Sequence, residues 1–194
     1  MQEENKEEVQ GIIKIELPKK KYKTIVVDPP WPVKKIVRKV RPNQGEFLDY
    51  PTMSIEEIKN FPIQDFIDPN VGCHLYLWSP DRFVRKNSDA MKVMEAWQIT
   101  FKIFLIWHKN VGFTPFGIGW QIRHEFVLWG TIGKLPLLKI GASTVFGGKV
   151  RQHSRKPDEF YDLVKLVSPE PRIDVFSREK RDGFDQYGNE PDRF

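Results

Sequence analysis

The chain of 194 residues, 40% of them hydrophobic, is long enough for one well-buried core and short for two. Its one cysteine, Cys73, excludes an internal disulfide and a cysteine-based zinc cluster, and four histidines without HExxH or paired CxxC spacing give a metal site little support. A net charge of +5 excludes no class of partner by itself, so the distribution of the charge carries the information.

The N-terminal stretch MQEENKEEVQ is acidic and polar, the wrong pattern for a signal peptide, and no apolar run reaches the length of a bilayer span. A cytoplasmic protein is expected, with residues 1–22 as a polar segment and 23–194 as a single domain. The run Thr24 to Val27, TIVV, predicts a buried strand. It must end at Asp28, because Pro29 and Pro30 have no N–H to give a ladder. MSIEEIKNF predicts a short helix, with Ser54 as N-cap and Glu57 three residues on as a capping box. CHLYLWS predicts a buried strand, and residues 80–97 a helix with Phe83, Met91, Met94 and Trp97 near one face. FKIFLIWHK and EFVLWG predict further strands, separated by the glycine- and aromatic-rich loop NVGFTPFGIGWQIRH. KPDEFYDLVKLV predicts a helix opened by Pro157 and two acids, and RIDVFS a last strand before a polar tail. Alternation of this kind implies an α/β sheet covered by helices on both faces.

Ligands of such sheets sit outside the carboxyl ends of the strands, where Asp28 emerges. The Pro29 carbonyl beside it is expected to be free as a second acceptor, and Trp31 to form a stacking wall. Two acceptors and an aromatic face suit a planar ring bearing an amino group, such as adenine presented on its N6 edge. Positive charge gathers in KKKYK (19–23), in RQHSRK and SREKR, and in VKKIVRKVRP (33–42), the last directly after the DPPW turn. Lys34, Lys35, Arg38, Lys39 and Arg41 would hold a polyanion beside Asp28, or form a solvated loop.

The motif DPPW resembles motif IV of amino-methyltransferases. Together with YPTMS (50–54), LYLW (75–78), IWHK (106–109), HEFVLWG (124–130), HSRKPDEFYDLV (153–164), IDVFSRE (173–179) and GNE (188–190), it resembles one branch closely. That branch is the family of the seventy-kilodalton subunit of mRNA adenosine methyltransferase, which also includes small prokaryotic and phage DNA adenine methylases. The resemblance runs in order from about Lys23 onward. It implies a Rossmann-like S-adenosylmethionine-dependent methyltransferase fold, permuted so that DPPW precedes the cofactor-binding segments. It implies transfer of a methyl group from S-adenosylmethionine to the exocyclic amine of adenine in nucleic acid, without a metal. Hydrogen bonds from N6–H to the Asp28 carboxylate and the Pro29 carbonyl would favour the pyramidal amine as charge develops.

Position by position, Asp28, Pro29, Pro30 and Trp31 resemble the catalytic motif, with Asp28 also meeting the cofactor. Lys156 looks like the lysine that meets the cofactor carboxylate, and Arg178 resembles the arginine that reaches its ribose. Asn189 and Glu190 resemble the pair at its adenine edge. Tyr50 and Trp107 look like target-pocket aromatics, and Glu125 like an acid that supports Lys156. After Arg178 the chain reads Glu179, Lys180, Arg181, where some relatives use His and Asn for the ribose. The residues also admit plainer readings. Lys156 and Arg178 could be surface ion-pair partners, Trp107 and Trp129 core, Tyr161, Leu163 and Val164 packing, and Asn189 a turn cap; His108, His124 and His153 are assigned no chemistry. Three functions stay open: the enzyme on DNA, the same enzyme on RNA, and a non-catalytic nucleic-acid-binding subunit. DNA is preferred by analogy with the prokaryotic relatives, and a homodimer or a related subunit stands as a further candidate partner.

Overall fold

Thr24–Val27 form β1, a strand of four residues buried along its whole length in the interior of a sheet with seven strands among the described residues. The computed structural model describes residues 19–33, 51–85, 87–110, 120–152 and 155–188. The other strands are β2 (Cys73–Ser79), β3 (Thr100–His108), β4 (His124–Ile132), β5 (Val145–Phe146), β6 (Arg172–Val175) and β7 (Asp185–Tyr187). Their order across the sheet is β5-β3-β4-β2-β1-β6-β7. β1 pairs in parallel with β2 on one side and with β6 on the other, whereas β4 runs antiparallel to both β2 and β3. The chain therefore leaves β1 toward β2 and returns on the opposite flank as β6. This is a topological switch point, and it opens a crevice outside the carboxyl ends of β1 and β6.

The sheet is packed on both faces, as its strands' apolar runs predict. Ile25 and Val27 of β1, Leu75 and Leu77 of β2 and Ile173 and Val175 of β6 share a core with Ile58 of α1 (Ile55–Lys59) and with Val93 and Met94 of α2 (Asp89–Ala96). The alternate residues Val26, Tyr76 and Trp78 join Phe160, Tyr161 and Val164 of α3 (Asp158–Val167) on the other side. The two-residue period of a strand is what divides them. Beneath α3, the Ser168 hydroxyl lies 2.8 Å from His74 Nδ1 and 2.7 Å from the Tyr76 hydroxyl, which ties the end of the helix to β2. Burial lowers the pKa of His74 and favours its neutral form.

Ser54 caps α1 with the expected capping box, Glu57 included. The helix expected over residues 80–97 is instead a 3-10 turn, Asp81–Phe83, followed by α2. Asn87 and Ser88 interrupt it with φ of 68° and 21°, and the Ser88 hydroxyl accepts a bond from the Met91 N–H, so α2 starts there. An Asn-Ser-Asp run competes with the helix for its own backbone and wins over apolar spacing. The strand RIDVFS is not the last. The segment read as a polar tail returns as β7, which pairs with β6 in parallel, and the short strand β5 extends the other edge.

Candidate active site

Asp28 follows β1 directly, with its N–H donating to the Val175 carbonyl of β6 at 3.3 Å, so its side chain is fixed at the mouth of the crevice. The two prolines then turn the chain out of the sheet. The Pro29 carbonyl is not free as expected, because it accepts the Trp31 N–H at 2.8 Å, although a carbonyl oxygen has a second lone pair for another donor. Trp31 differs from expectation as well. It is only 3% exposed, stacks on Phe83 at 4.8 Å and donates its indole N–H to the Trp78 carbonyl at 2.9 Å. An indole with an apolar ring and a carbonyl in reach anchors the turn in the core and offers no free wall.

Lys156, just before the Pro157 that caps α3, reaches back across the crevice. Its Nζ lies 3.0 Å from Asp28 Oδ2 and 3.1 Å from Glu125 Oε2, and 4.8 Å above the Trp78 ring. Glu125, the second residue of β4, stands opposite Trp107 of β3, and its other oxygen accepts from Lys109 Nζ at 2.5 Å. Burial opposes ionisation of Glu125, but the ammonium groups of Lys156 and Lys109 prevail and hold its carboxyl at about 2. Burial likewise opposes the charge on Lys156, and the two carboxylates overcome it to raise its pKa. For Asp28 burial is the larger effect, so its pKa is raised even with Lys156 beside it.

The opposite wall comes from β6 and the turn after it. Asp174 is buried and accepts a hydrogen bond from the Tyr161 hydroxyl at 2.7 Å. Burial pushes its carboxyl up to about 7. Phe176, with φ of 62°, turns the chain so that Ser177, Arg178 and Glu179 border a small open cleft together with Asp28, Lys156, Tyr161, Asp174 and Arg181. At its rim Glu179 binds both Arg155 and Arg181, and Arg181 also pairs with Asp158 at 2.6 Å. The guanidinium of Arg181 lies 3.8 Å over the Tyr161 ring.

Asp28, Lys156, Glu125 and Arg178, chosen from scattered motifs, thus meet at one crevice. Trp107 does not line it openly; it is 3% exposed, bonded to the Gly148 carbonyl at 3.3 Å and set edge-on to Trp78. Lys34, Lys35, Arg38, Lys39, Arg41, Tyr50, Asn189 and Glu190 lie outside the described residues. Gly188, next to the last pair, packs so tightly on Ser177 that a Cβ there would come within 2.7 Å of the Ser177 carbonyl. Sequence reasoning missed Asp174 and Lys109, whereas Tyr161, read as packing, is buried in the core with its hydroxyl on Asp174. A lone acid inside the apolar run RIDV was a usable signal for Asp174, of the same kind that singled out Asp28.

The donor set suits a ligand that is itself zwitterionic: Lys156 can take a carboxylate, while Asp28 and the buried Asp174 favour positive charge nearby. Two relatives share much of the chain. One is the Type II methyltransferase M.MunI of Mycoplasma sp, 28% identical over 90% of this chain and 80% of its own length. The other is the N(6)-adenosine-methyltransferase MT-A70-like protein of Drosophila melanogaster, 28% identical over 81% of this chain but only 24% of its own length. The MT-A70 family profile matches residues 22–119 and 129–190, a span that holds Asp28 on one side of the crevice and Lys156 and Arg178 on the other. The chain belongs to the MT-A70 family.

Proposed function

We propose that this protein is an S-adenosylmethionine-dependent adenine-N6 methyltransferase acting on DNA. The observation that carries the reading is the meeting of Asp28, at the carboxyl end of β1, with Lys156, 3.0 Å away across the switch-point crevice. S-Adenosylmethionine, when bound, supplies an electrophilic methyl group on a sulfonium. Lys156 and Arg178 would hold its carboxylate and ribose, and Asn189 and Glu190 its adenine edge. Asp28 accepts a hydrogen bond from the N6–H of the target adenine, and the second lone pair of the Pro29 carbonyl can take the other N6–H. The two acceptors orient the amine lone pair for in-line attack and stabilise the positive charge that grows on nitrogen; the N–C bond would form as the methyl–sulfur bond breaks to leave a neutral thioether, and the Asp28 carboxylate would take the surplus N6 proton. Glu125 keeps Lys156 charged and in place. Tyr50 lies in the sequence where a target-pocket aromatic is expected, and the cations from Lys34 to Arg41 supply phosphate contacts. The late position of β6, beside β1 yet near the end of the chain, supports the permuted order.

DNA is the proposed polymer because the chain spans 80% of a Type II methyltransferase, a DNA-modifying class. The same reaction on RNA is the second reading, supported by the adenosine-methyltransferase name of the Drosophila relative. The deciding experiment incubates the protein with labelled S-adenosylmethionine and duplex DNA, single-stranded DNA or RNA, then maps the modified base. N6-methyladenine in DNA alone supports the proposal. Label in RNA alone moves the function to the second reading, and label on no polymer overturns the enzymatic assignment. Asp28→Ala should lose at least 100-fold in rate with the fold intact, the order of loss expected for one preorganised partner of the developing charge.

A further inference from the structure

Four charged groups lie in a row along the crevice and alternate in sign: Asp28, Lys156, Glu125 and Lys109. Their successive contacts are 3.0, 3.1 and 2.5 Å. Each comes from a different place in the fold, respectively the end of β1, the approach to α3, the second residue of β4 and the residue after β3. The two cations rest on two indoles, Lys156 over Trp78 and Lys109 over Trp107, each at 4.8 Å, and the rings stand edge to face with centroids 6.0 Å apart. An aromatic floor of this kind excludes water from below and strengthens the interactions above it.

We propose that Lys109 is a positioning residue that tunes Asp28 through Glu125 and Lys156, a role that rests on the reading of Asp28 as the acceptor for the target amine. Glu125 uses one oxygen for each lysine, so Lys109 satisfies half of its demand. With Lys109 present the row is neutral overall. Without it the row carries one excess negative charge, and Glu125 has only Lys156 to turn to. Lys156 is then drawn toward Glu125 and away from Asp28, which loses the cation that most favours its ionised form. Besides Lys156, the groups that act on Asp28 are Glu125 within the row and Arg178, Asp174 and Tyr161 beyond it, whereas the contacts of Lys109 that define the row are with Glu125 and the Trp107 ring. A change in Asp28 on replacing Lys109 therefore travels along the row.

The sign follows from the charges. Asp28 works as a carboxylate, so turnover falls as pH drops through its folded pKa, and loss of Lys109 raises that pKa. The test compares wild type with Lys109→Met, Lys109→Gln and Lys109→Arg. The first readout follows the Asp28 carboxyl carbon by NMR against pH without cofactor, with the resonance assigned by Asp28→Asn. The second is the pH profile of methyl transfer. Lys109→Met and Lys109→Gln should move the Asp28 titration and the acidic limb upward by about half to one pH unit, in the direction set by removing a nearby cation, and Lys109→Arg should restore both. An unmoved Asp28 titration in whichever neutral variant folds overturns the proposal, even if activity falls. The carboxyl titration needs no turnover. A wild-type protein that methylates nothing would thus sink the enzymatic reading while leaving Lys109 to be judged on its own.

Discussion

Tyr161 donates its hydroxyl to Asp174 at 2.7 Å, so a phenol–carboxyl pair lines the same crevice as the Asp28–Lys156 pair. Asp174 is buried within β6, where desolvation raises its pKa from 3.8 to about 7. In the unfolded chain the same carboxyl ionises near 4. Between those two values the folded state holds a proton that the unfolded state has released, so stability contributed below about pH 4 is lost as pH rises through about 7. Asp174→Asn keeps an acceptor for Tyr161 and removes the titration. The variant should show a flatter melting temperature between pH 4 and 7, and should exceed wild type at pH 8. At about 1.4 kcal/mol per pH unit of displacement the difference amounts to a few kcal/mol. Parallel melting curves for the two proteins across that range would show that Asp174 ionises as an ordinary carboxyl.

Lys156 is the bridge between two carboxylates, and its removal leaves Asp28 and Glu125 facing each other without a cation between them. Lys156→Met should therefore weaken S-adenosylmethionine at least tenfold, through loss of a charge-assisted contact to its carboxylate. Calorimetry measures this without turnover. The same variant should raise the pKa of Glu125 from its value of about 2, since one of its two ammonium partners is gone. Unchanged affinity would confine Lys156 to a structural ion pair.

The strand that carries Glu125 is held by close packing at its other end. A Cβ at Gly130 would stand 2.6 Å from both Met94 Cε and Ile99 Cγ2, and 2.8 Å from the Thr100 carbonyl. The methionine can swing aside, but the backbone carbonyl cannot. Gly130→Ala should cost about 1–3 kcal/mol, the usual range for overpacking, read as a lower midpoint in denaturant. Affinity for S-adenosylmethionine in the folded fraction should hold. A midpoint equal to that of wild type would mean that β3 and β4 can part to accept the methyl group.

How much of this was legible in the sequence depends on the range of the signal. Asp28 announced itself locally, because an acid and two prolines end a β-branched run and leave nowhere for the strand to go. The capping box at Ser54 and Glu57 is local too. The contact of Glu125 with Lys156 spans 31 positions and could be expected only through the resemblance of whole motifs. Lys109 and Asp174 escaped notice. Lys109 looks ordinary where it stands, a lysine after a strand, whereas Asp174 carried a local signal that went unread, and the meaning of both comes from register: β4 lays Glu125 against Trp107, and β6 lays Asp174 beside Val26. Trp31 was misjudged because a tryptophan after a turn serves equally as a wall or an anchor, and only the presence of Phe83 and the Trp78 carbonyl decides between them.

The last prediction concerns the basic run after the DPPW turn. If Lys34, Lys35, Arg38, Lys39 and Arg41 neutralise phosphates around the target base, each contact releases counterions, and log K falls linearly with log of the salt concentration. Each phosphate contributes a slope of about −0.9 on duplex and about −0.7 on a single strand. Replacing the five residues with Ser or Gln should therefore flatten the salt dependence by several such increments and weaken binding to all sequences alike. Affinity for S-adenosylmethionine should hardly change, because its proposed contacts lie with Asp28, Lys156 and the segments after β6. Fluorescence anisotropy at four or more salt concentrations measures the slope. An unaltered slope would mean that this run makes no phosphate contact and that the polyanion approaches another face. Arg151 is then the next residue to replace, although its guanidinium is already engaged with Asp158 at 2.6 Å and would have to exchange that carboxylate for a phosphate.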